Sequence, residues 1–213
     1  MNETLNTDDI KAIFSRLQSV MSDNRDYLID LDNAMGDGDL GLTMVKAFNA
    51  AAIEAERSEE KLPGKLIMRL GMVMAKAAPS TMGTLLATGF MRGGKAIANE
   101  QSMDVSSLAV FFEAFTLGIM ERGKTQPGNK TIVDTIHPAA EALKQASSDG
   151  LHLHGALSAA CEAAEKGLAD STQMKAQHSR AAYYREKSIG IQDPGATVGL
   201  LIIKTFNEYV DRD

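Results

Sequence analysis

Three aspartates lie close together in one short, glycine-rich stretch of the sequence. The stretch reads Asp32-Asn33-Ala34-Met35-Gly36-Asp37-Gly38-Asp39-Leu40-Gly41. Carboxylate oxygens are ligands of hard cations such as Mg²⁺, which keep part of their coordination sphere for water and phosphate. Glycines let backbone N–H groups approach an anion closely. The stretch therefore indicates a site for a metal ion and phosphate groups.

Two other interpretations of the same stretch can be considered. Aspartate and glycine are common turn residues, so the stretch could be an ordinary connection between helices. An EF-hand needs a glutamate at the twelfth position of its loop. That position is Thr43 counted from Asp32 and Phe48 counted from Asp37, so a calcium loop is excluded.

The composition is that of a soluble globular protein. The chain has 213 residues, of which 44% are hydrophobic and 23% charged, so we expect a single domain spanning residues 1–213. The net charge of −6 argues against a nucleic-acid or anionic membrane partner, since these require clustered Lys and Arg. Any bound phosphate would need a metal ion to offset this charge.

The sequence shows neither a secretion signal nor a membrane-spanning segment. Its first residues lack a basic region followed by an apolar run, and no stretch reaches the roughly 18 apolar residues of a spanning helix. The only cysteine, Cys161, lies in an alanine-rich helical pattern and is expected to be a small buried residue. We therefore expect a cytoplasmic protein.

The elements that must position the aspartates are predicted to be helices. Apolar residues recur at intervals of three and four, as in Ile10, Ile13, Phe14 and Leu17, and alternation typical of strands is absent. Eight helices are predicted at 7–22, 25–34, 41–57, 64–77, 82–98, 104–122, 130–148 and 152–169, and a ninth at 195–211. Short connections between them predict an antiparallel bundle.

Four connections contain more Gly, Ser, Thr and Pro than simple turns need: 36–41, 78–84, 123–131 and 187–197. Ser80 and Thr81 precede a helix and could bind an anion or serve only as caps. Asp193-Pro194-Gly195 has the same two interpretations. The polar segment 171–192 is either a partly ordered lid or a solvated excursion, and its Arg180 either binds a phosphate or is a surface residue. The histidines and serines match no zinc or serine-nucleophile motif.

Five segments, taken in order, resemble the nucleotide-binding L subunit of dihydroxyacetone kinases. They are Asp32 with Asp37-Gly38-Asp39, Ser80-Thr81-Met82-Gly83, Gly128-Asn129-Lys130-Thr131-Ile132-Val133-Asp134, Arg180-Ala181-Ala182-Tyr183 and Asp193-Pro194-Gly195-Ala196. The resemblance spans nearly the whole chain. It implies an all-α barrel of eight antiparallel helices, with a nucleotide bound in the loops at one rim.

The resemblance also implies a ligand set. Two Mg²⁺ ions would bridge the phosphates of ADP or ATP to Asp32, Asp37 and Asp39. The other implied nucleotide-binding residues are Leu40, Gly41, Leu42 and Thr43 at the phosphates, Ser80, Thr81 and Met82 along the site, Gly123 and Ile132 beside the adenine, Arg180 at a phosphate, and Asp193, Pro194 and Gly195 over the nucleotide. Three departures from the family pattern are Leu40 in place of histidine, Asn129 in place of aspartate, and Thr81-Met82-Gly83 in place of Ala-Ser-Gly.

By the same resemblance, this chain would be half of a kinase. A histidine on a separate K subunit would hold dihydroxyacetone or a related keto sugar covalently, so no catalytic residue is assigned here. The nucleotide would exchange as a substrate or be recharged by a phosphotransferase-system phosphocarrier, and a homodimer is left open. Two alternatives are a nucleotide-state sensor that signals to a regulator without transfer, and a helical scaffold whose loops are only caps.

Overall fold

The computed structural model describes residues 3–211, and these residues form helices packed side by side. The helices are α1 Thr7–Asp23, α2 Arg25–Asn33, α3 Leu40–Arg57, α4 Pro63–Ala77, α5 Thr81–Ala96, α6 Val105–Gly123, α7 Val133–Ser148, α8 Leu153–Ser171 and α9 Pro194–Val210, with a 3₁₀ segment at Arg180–Ser188. The β-structure within residues 3–211 is one isolated bridge between Leu5 and Met103. The all-α prediction is confirmed.

Eight of these helices form a closed ring. Helix α1 packs against α3, each helix from α3 to α9 packs against the next, and α9 returns to α1. Helix α7 also contacts α9, while the short α2 lies mainly against α3. Because consecutive helices with short connections pack as antiparallel neighbours, the ring is the eight-helix barrel that the resemblance implied.

Phenylalanine rings fill the interior of the ring. All seven are fully buried: Phe14, Phe48, Phe90, Phe111, Phe112, Phe115 and Phe206. The ring of Phe90 lies 5.3 Å from Phe14 and 4.9 Å from Phe115, measured between centroids. Truncating such a residue typically costs about 3–5 kcal/mol of stability. The interior is thus a packed core, and a ligand is expected to bind at an end of the barrel.

The helix connections alternate between two ends, which we call the upper and the lower rim. The upper rim contains connections 34–39, 78–80, 124–132 and 172–193, and the lower rim contains 58–62, 97–104 and 149–152. The ends of the described chain also lie at the lower rim. There Leu5 pairs with Met103, and the Tyr209 hydroxyl donates to Asp9 Oδ1 at 2.7 Å.

One predicted helix boundary differs clearly from the structure. Helix α7 was predicted to begin at residue 130 but begins at Val133. Lys130 has a φ of 59°, in the left-handed region, and cannot continue a right-handed helix. The Asp134 carboxylate accepts hydrogen bonds from the N–H groups of Gly128 and Thr131, both at 2.6 Å. The segment 128–131 is therefore a tight turn. The other predicted boundaries agree within two residues.

Two smaller expectations concern membrane spans and the cysteine. Among residues 3–211, none of the helices combines the length and the apolar character needed to cross a membrane. Cys161 is a free, buried thiol in α8, as predicted. Burial raises its pKa above the ordinary thiol range, which keeps it protonated and unreactive near neutral pH.

Candidate functional site

The connections of the upper rim surround a cleft of about 610 Å³. This volume is within the usual range for small-molecule sites. The cleft brings together most of the residues proposed from the sequence. Those that line it are Asp32, Asp37, Asp39, Leu40, Ser80, Thr81, Met82, Gly123, Ile132, Arg180, Asp193, Pro194 and Gly195.

Three residues expected at the phosphates do not line the cleft. Helix α3 begins at Leu40, so successive side chains point in directions about 100° apart. Gly41 packs against the backbone carbonyl of Arg25, Leu42 is exposed, and Thr43 is buried. Leu40 itself is 6% exposed and belongs to the hydrophobic core. Among these four positions, only Leu40 lines the cleft, while the backbone N–H groups at the start of α3 lie at the same rim.

The three aspartates form a compact carboxylate cluster. One oxygen from each of Asp32, Asp37 and Asp39 lies within 4.8 Å of the other two. Asp32 is on α2, and its Oδ2 accepts hydrogen bonds from the N–H of Asp39 at 3.0 Å and of Leu40 at 3.2 Å. These bonds tie the end of α2 to the beginning of α3. The loop between them is therefore held with its carboxylates converging.

Two glycines in this loop are required by space. A Cβ at Gly36 would overlap the Asp32 carboxylate, and a Cβ at Gly38 would overlap the Asn33 side chain. Gly38 also has a φ of 74°, which residues with a Cβ rarely adopt. The glycines noted in the sequence thus serve to bring the backbone close to the carboxylates.

The cluster concentrates negative charge. Burial raises the pKa of Asp39 above its ordinary value, and the neighbouring carboxylates of Asp37 and Asp32 raise it further. Arg180 offsets part of this charge, because its Nη1 lies 2.9 Å from Asp37 Oδ2. Three carboxylate oxygens at this spacing form a donor set suited to Mg²⁺. The residues present therefore fit a divalent cation.

Four helices of the closed ring begin at the upper rim: α3, α5, α7 and α9. The N-terminal end of a helix carries partial positive charge and unpaired N–H groups, which favour anions. At α5 the Ser80 hydroxyl accepts from the N–H of Gly83 at 3.0 Å, and at α9 Asp193 Oδ2 accepts from the N–H of Ala196 at 2.7 Å. Both residues are N-caps, as one interpretation of the sequence predicted. Capping does not exclude anion binding nearby.

Another part of the cleft is apolar. Gly195 lies so close to the first turn of α5 and to the connection before α7 that a Cβ there would be 2.9 Å from Met82 Cε and 3.3 Å from the Ile132 nitrogen. Gly123 packs beside Leu85, whose Cδ2 would lie 3.2 Å from a Cβ at that position. Carboxylates and a guanidinium line one part of the cleft, and these apolar groups line another. A ligand with a charged part and a flat apolar part would match both.

Asp193 is a buried carboxyl group at the edge of the cleft. Burial raises its pKa to about 7, although the hydrogen bond from Ala196 and the nearby charge of Lys130 oppose this shift. The carboxyl group is therefore divided between its neutral and charged forms near neutral pH. It differs in this respect from an ordinary exposed helix cap.

The cleft also contains residues that sequence reasoning did not assign to it. They are Met35, Gly36, Leu85, Thr125, Lys130, Thr131, His178, Ser179, Ala181 and Tyr183. Some left a signal in the sequence. Leu85 lies about one helical turn after Met82, and His178 and Tyr183 flank Arg180. Lys130 and Thr131 stand within one of the five motifs, but the motif was interpreted as the start of a helix and neither residue was given a role.

Comparison with known proteins agrees with this architecture. Residues 34–208 match the DAK2 domain family. The ADP-binding subunit DhaL of the PEP-dependent dihydroxyacetone kinase of Escherichia coli is 34% identical over 183 residues, covering 86% of this chain and 87% of the relative. An L-erythrulose 1-kinase of Mycolicibacterium smegmatis is 32% identical over 96% of this chain and 36% of its own length.

A solved structure shows the same fold. The dihydroxyacetone kinase from C. freundii, determined in complex with AMP-PNP and Mg²⁺, superposes with a TM-score of 0.70 at 23% identity. The alignment covers 93% of this chain and 33% of the longer kinase, so the present chain spans about a third of that protein. This chain belongs to the DAK2 domain family. The resemblance to dihydroxyacetone kinase L subunits that its five motifs indicated is confirmed.

Proposed function

We propose that this chain is the nucleotide-binding subunit of a dihydroxyacetone-kinase-like enzyme, and that the upper-rim cleft binds ADP or ATP with two Mg²⁺ ions. The observation that carries the proposal is the carboxylate cluster of Asp32, Asp37 and Asp39 at the rim where four helices of the ring begin. Magnesium would neutralise phosphate charge that the aspartates alone would repel. The relative from E. coli is named as an ADP-binding subunit.

Each part of the cleft has a role in this proposal. Asp32, Asp37 and Asp39 hold the metal ions, and Arg180 pairs with a phosphate after leaving Asp37. Met82 and Ile132, with Gly123 and Gly195 leaving room beside them, face the adenine base. The N-terminus of α5 directs its partial positive charge toward the phosphates. These residues bind and orient the nucleotide, and orientation is the protein's main contribution to phosphoryl transfer.

The sugar is proposed to reside on a separate K-type subunit. Within residues 3–211, the only histidine that lines the cleft is His178, and its Nε2 is hydrogen-bonded to Asn129 Oδ1 at 3.1 Å. We assign covalent capture of the keto sugar to the K-type subunit rather than to His178, because the relatives of this chain are named as ADP-binding subunits. The acceptor would be dihydroxyacetone or a related keto sugar, in keeping with relatives named for dihydroxyacetone and for L-erythrulose. Recharging by a phosphocarrier is favoured, since the E. coli relative is named PEP-dependent.

The first experiment is to denature the purified protein, identify any released nucleotide by chromatography and count Mg²⁺ per chain. Near-stoichiometric ADP with metal would support a retained nucleotide recharged by a phosphocarrier. A protein that is purified empty and binds ATP only with added Mg²⁺ would support exchange of the nucleotide as a substrate. A protein that binds neither nucleotide with Mg²⁺ present would overturn the proposal.

A second experiment tests the transfer. The chain is mixed with a K-type subunit, a keto sugar and either ATP or a phosphorylated phosphocarrier, and sugar phosphate is measured. Formation of sugar phosphate that is lost in Asp37→Asn supports the kinase role. Nucleotide binding without any transfer would instead favour the sensor alternative.

A further inference from the structure

Lys130 is a buried lysine that the proposed nucleotide chemistry leaves unused. Its residue is 2% exposed, and its Nζ donates to the carbonyl oxygens of Ile191 at 2.6 Å, Ser171 at 2.7 Å and Thr172 at 3.4 Å. An ammonium group has three N–H donors and no acceptor. All three donors have a partner, so this lysine cannot also bind a phosphate unless these contacts break.

The three carbonyls come from both ends of one excursion of the chain. We call residues 172–191 the flap segment. Ser171 and Thr172 lie where the segment leaves α8, and Ile191 lies where the chain returns toward α9. Beside Lys130, the N–H of Gly190 donates to the carbonyl of Thr172 at 2.7 Å. The two ends of the flap segment therefore meet at a single buried cation.

The residue before Lys130 holds the interior of the same segment. The carbonyl of Asn129 accepts from the N–H of Gln177 at 3.2 Å, and Asn129 Oδ1 is hydrogen-bonded to His178 Nε2. Arg180 follows two residues later and reaches Asp37. The turn that carries Asn129 and Lys130 is itself fixed by the Asp134 carboxylate. A continuous set of contacts thus runs from the start of α7 to the guanidinium over the carboxylate cluster.

The flap segment has little else to hold it. Most of its side chains are polar and exposed, and Tyr183 is 87% exposed. Its buried groups include Ala176 and Ser188, and the Ser188 hydroxyl accepts from the N–H of Ala176 at 2.9 Å. Without a hydrophobic face, such a segment loses conformational entropy on ordering and gains little from burial. A buried charge is costly unless its hydrogen bonds are satisfied, as they are here.

We propose that Lys130 is a positioning residue that clamps both ends of the flap segment and thereby keeps Arg180 over the carboxylate cluster. The role of Arg180 toward phosphate rests on the function proposed above, whereas the clamp itself is a property of the protein without nucleotide. The turn 128–131 and the flap segment therefore act as one unit in shaping the cleft.

Limited trypsin digestion of the nucleotide-free protein tests the clamp. The flap segment contains four trypsin sites, at Lys175, Arg180, Arg185 and Lys187. We expect Lys130→Met to increase cleavage at these sites by roughly tenfold or more, as loss of a charge-assisted hydrogen bond would allow. Lys124→Met is the matched control, because Lys124 has a similar left-handed backbone with a φ of 50° but an exposed side chain. Equal cleavage rates in Lys130→Met and wild type would overturn the proposal.

Circular dichroism decides whether Lys130→Met is folded. If it is not, Lys130→Gln replaces it, since a glutamine keeps an uncharged N–H donor at the same position. We expect trypsin to cleave the flap segment of Lys130→Gln faster than that of the wild type. A folded Lys130→Gln that is cleaved at the wild-type rate would contradict the clamp.

A double-mutant comparison tests whether Lys130 acts through Arg180. The dissociation constant of ADP with Mg²⁺ is measured for Lys130→Met, Arg180→Ala and the double variant. If Lys130 acts by placing Arg180, the double variant binds no more weakly than Arg180→Ala, within about twofold. If the losses of ADP affinity in the two single variants instead multiply in the double variant, Lys130 acts independently of Arg180. That result would overturn the positioning role. If the wild type binds no nucleotide, the proposed function fails, and the digestion still decides the clamp.

Discussion

The two rims of the barrel are made of similar helix connections but use their polar groups in opposite ways. At the lower rim, Asp104 accepts from the N–H of Ser107 at 2.8 Å, and His152 Nδ1 accepts from the N–H of Gly155 at 3.0 Å. The Thr7 hydroxyl also donates a hydrogen bond to the Lys61 carbonyl oxygen at 2.6 Å. These polar groups are used to end and begin helices.

At the upper rim, in contrast, carboxylates lie close together and the backbone adopts strained conformations. Seven of the eight described residues with a positive φ lie there, and the one at the lower rim is Gly150. Four of the seven are not glycine: Lys124, Lys130, Ser179 and Arg185. Strained backbone and like charges cost stability and are concentrated at functional sites. One end of the barrel therefore maintains the fold, and the other end maintains the cleft.

The sharpest test of this contrast compares two aspartates that both cap helices. Burial raises the pKa of Asp193 to about 7, whereas the hydrogen bond from the Ser107 N–H lowers the pKa of Asp104. Between the ordinary carboxyl pKa and 7, folded Asp193 retains a proton that the unfolded chain has lost. Its contribution to stability is therefore full below the ordinary pKa and is lost as the pH rises through 7. For Asp104 the sign is reversed, and stability is lost as the pH falls.

We expect Asp193→Asn to gain stability relative to wild type by a few kcal/mol as the pH rises from about 4 to about 7, since each pKa unit corresponds to about 1.4 kcal/mol. Asparagine remains a good N-cap, so the helix itself is retained. As the pH rises through the range in which wild-type Asp104 loses its proton, Asp104→Asn should lose stability relative to wild type. Urea unfolding at several pH values measures both. Identical pH profiles for the two variants would contradict the contrast.

The second prediction concerns ligand binding. We expect Asp37→Asn to weaken Mg²⁺-dependent ADP binding by at least roughly 100-fold, because one of three charged ligands is lost. Its melting temperature should not fall, because a like charge is removed from the cluster. Calorimetric titration and a thermal scan measure the two effects. A variant that retains Mg²⁺-dependent ADP binding would refute the assigned metal site.

The third prediction compares glycines at the two rims. A Cβ at Gly36 would overlap the Asp32 carboxylate, so we expect Gly36→Ala to displace that ligand and weaken Mg²⁺-dependent ADP binding by roughly tenfold. Gly150 has a φ of 69° with open space around it. Gly150→Ala should leave ADP binding unchanged and cost about 1 kcal/mol through backbone strain. Equal effects of the two substitutions on binding would contradict the division between the rims.

The smallest effect is expected from the lower-rim cap alone. Replacing Asp104 by alanine removes the acceptor for the Ser107 N–H, which typically costs about 1 kcal/mol. We expect Asp104→Ala to lower the free energy of unfolding in urea by that amount, with ADP affinity unchanged. A reduced ADP affinity in this variant would show that the two rims are coupled through α6.

Much of the fold and part of the site could be predicted because the signals are local. Apolar periodicity places the helices, and caps such as Ser80 and Asp193 mark where α5 and α9 begin. The spacing of Asp32, Asp37 and Asp39 indicates a cluster because a short glycine-rich loop cannot carry them far apart. These inferences depend only on residues near one another in the chain.

The rest depends on contacts between distant residues. The turn at Lys130 is held by the Asp134 carboxylate, but the carbonyls that bind the buried Lys130 ammonium follow it by 41 to 61 residues, so the local pattern favoured a helix that does not begin there. Leu42 and Thr43 were expected at the phosphates because of their place in a motif, whereas in the first turn of α3 neither residue lines the cleft. His178 and Tyr183 reach the cleft only because the flap segment folds across it.

The position of the described chain ends also limits how this domain can be joined to another. Both ends lie at the lower rim, and α9, with its 17 residues, spans about 25 Å between the rims. A domain fused to either end would need a linker of about eight extended residues to bring its own site to the cleft. A tag or surface tether attached at either end would, for the same reason, leave the upper-rim cleft open to a partner.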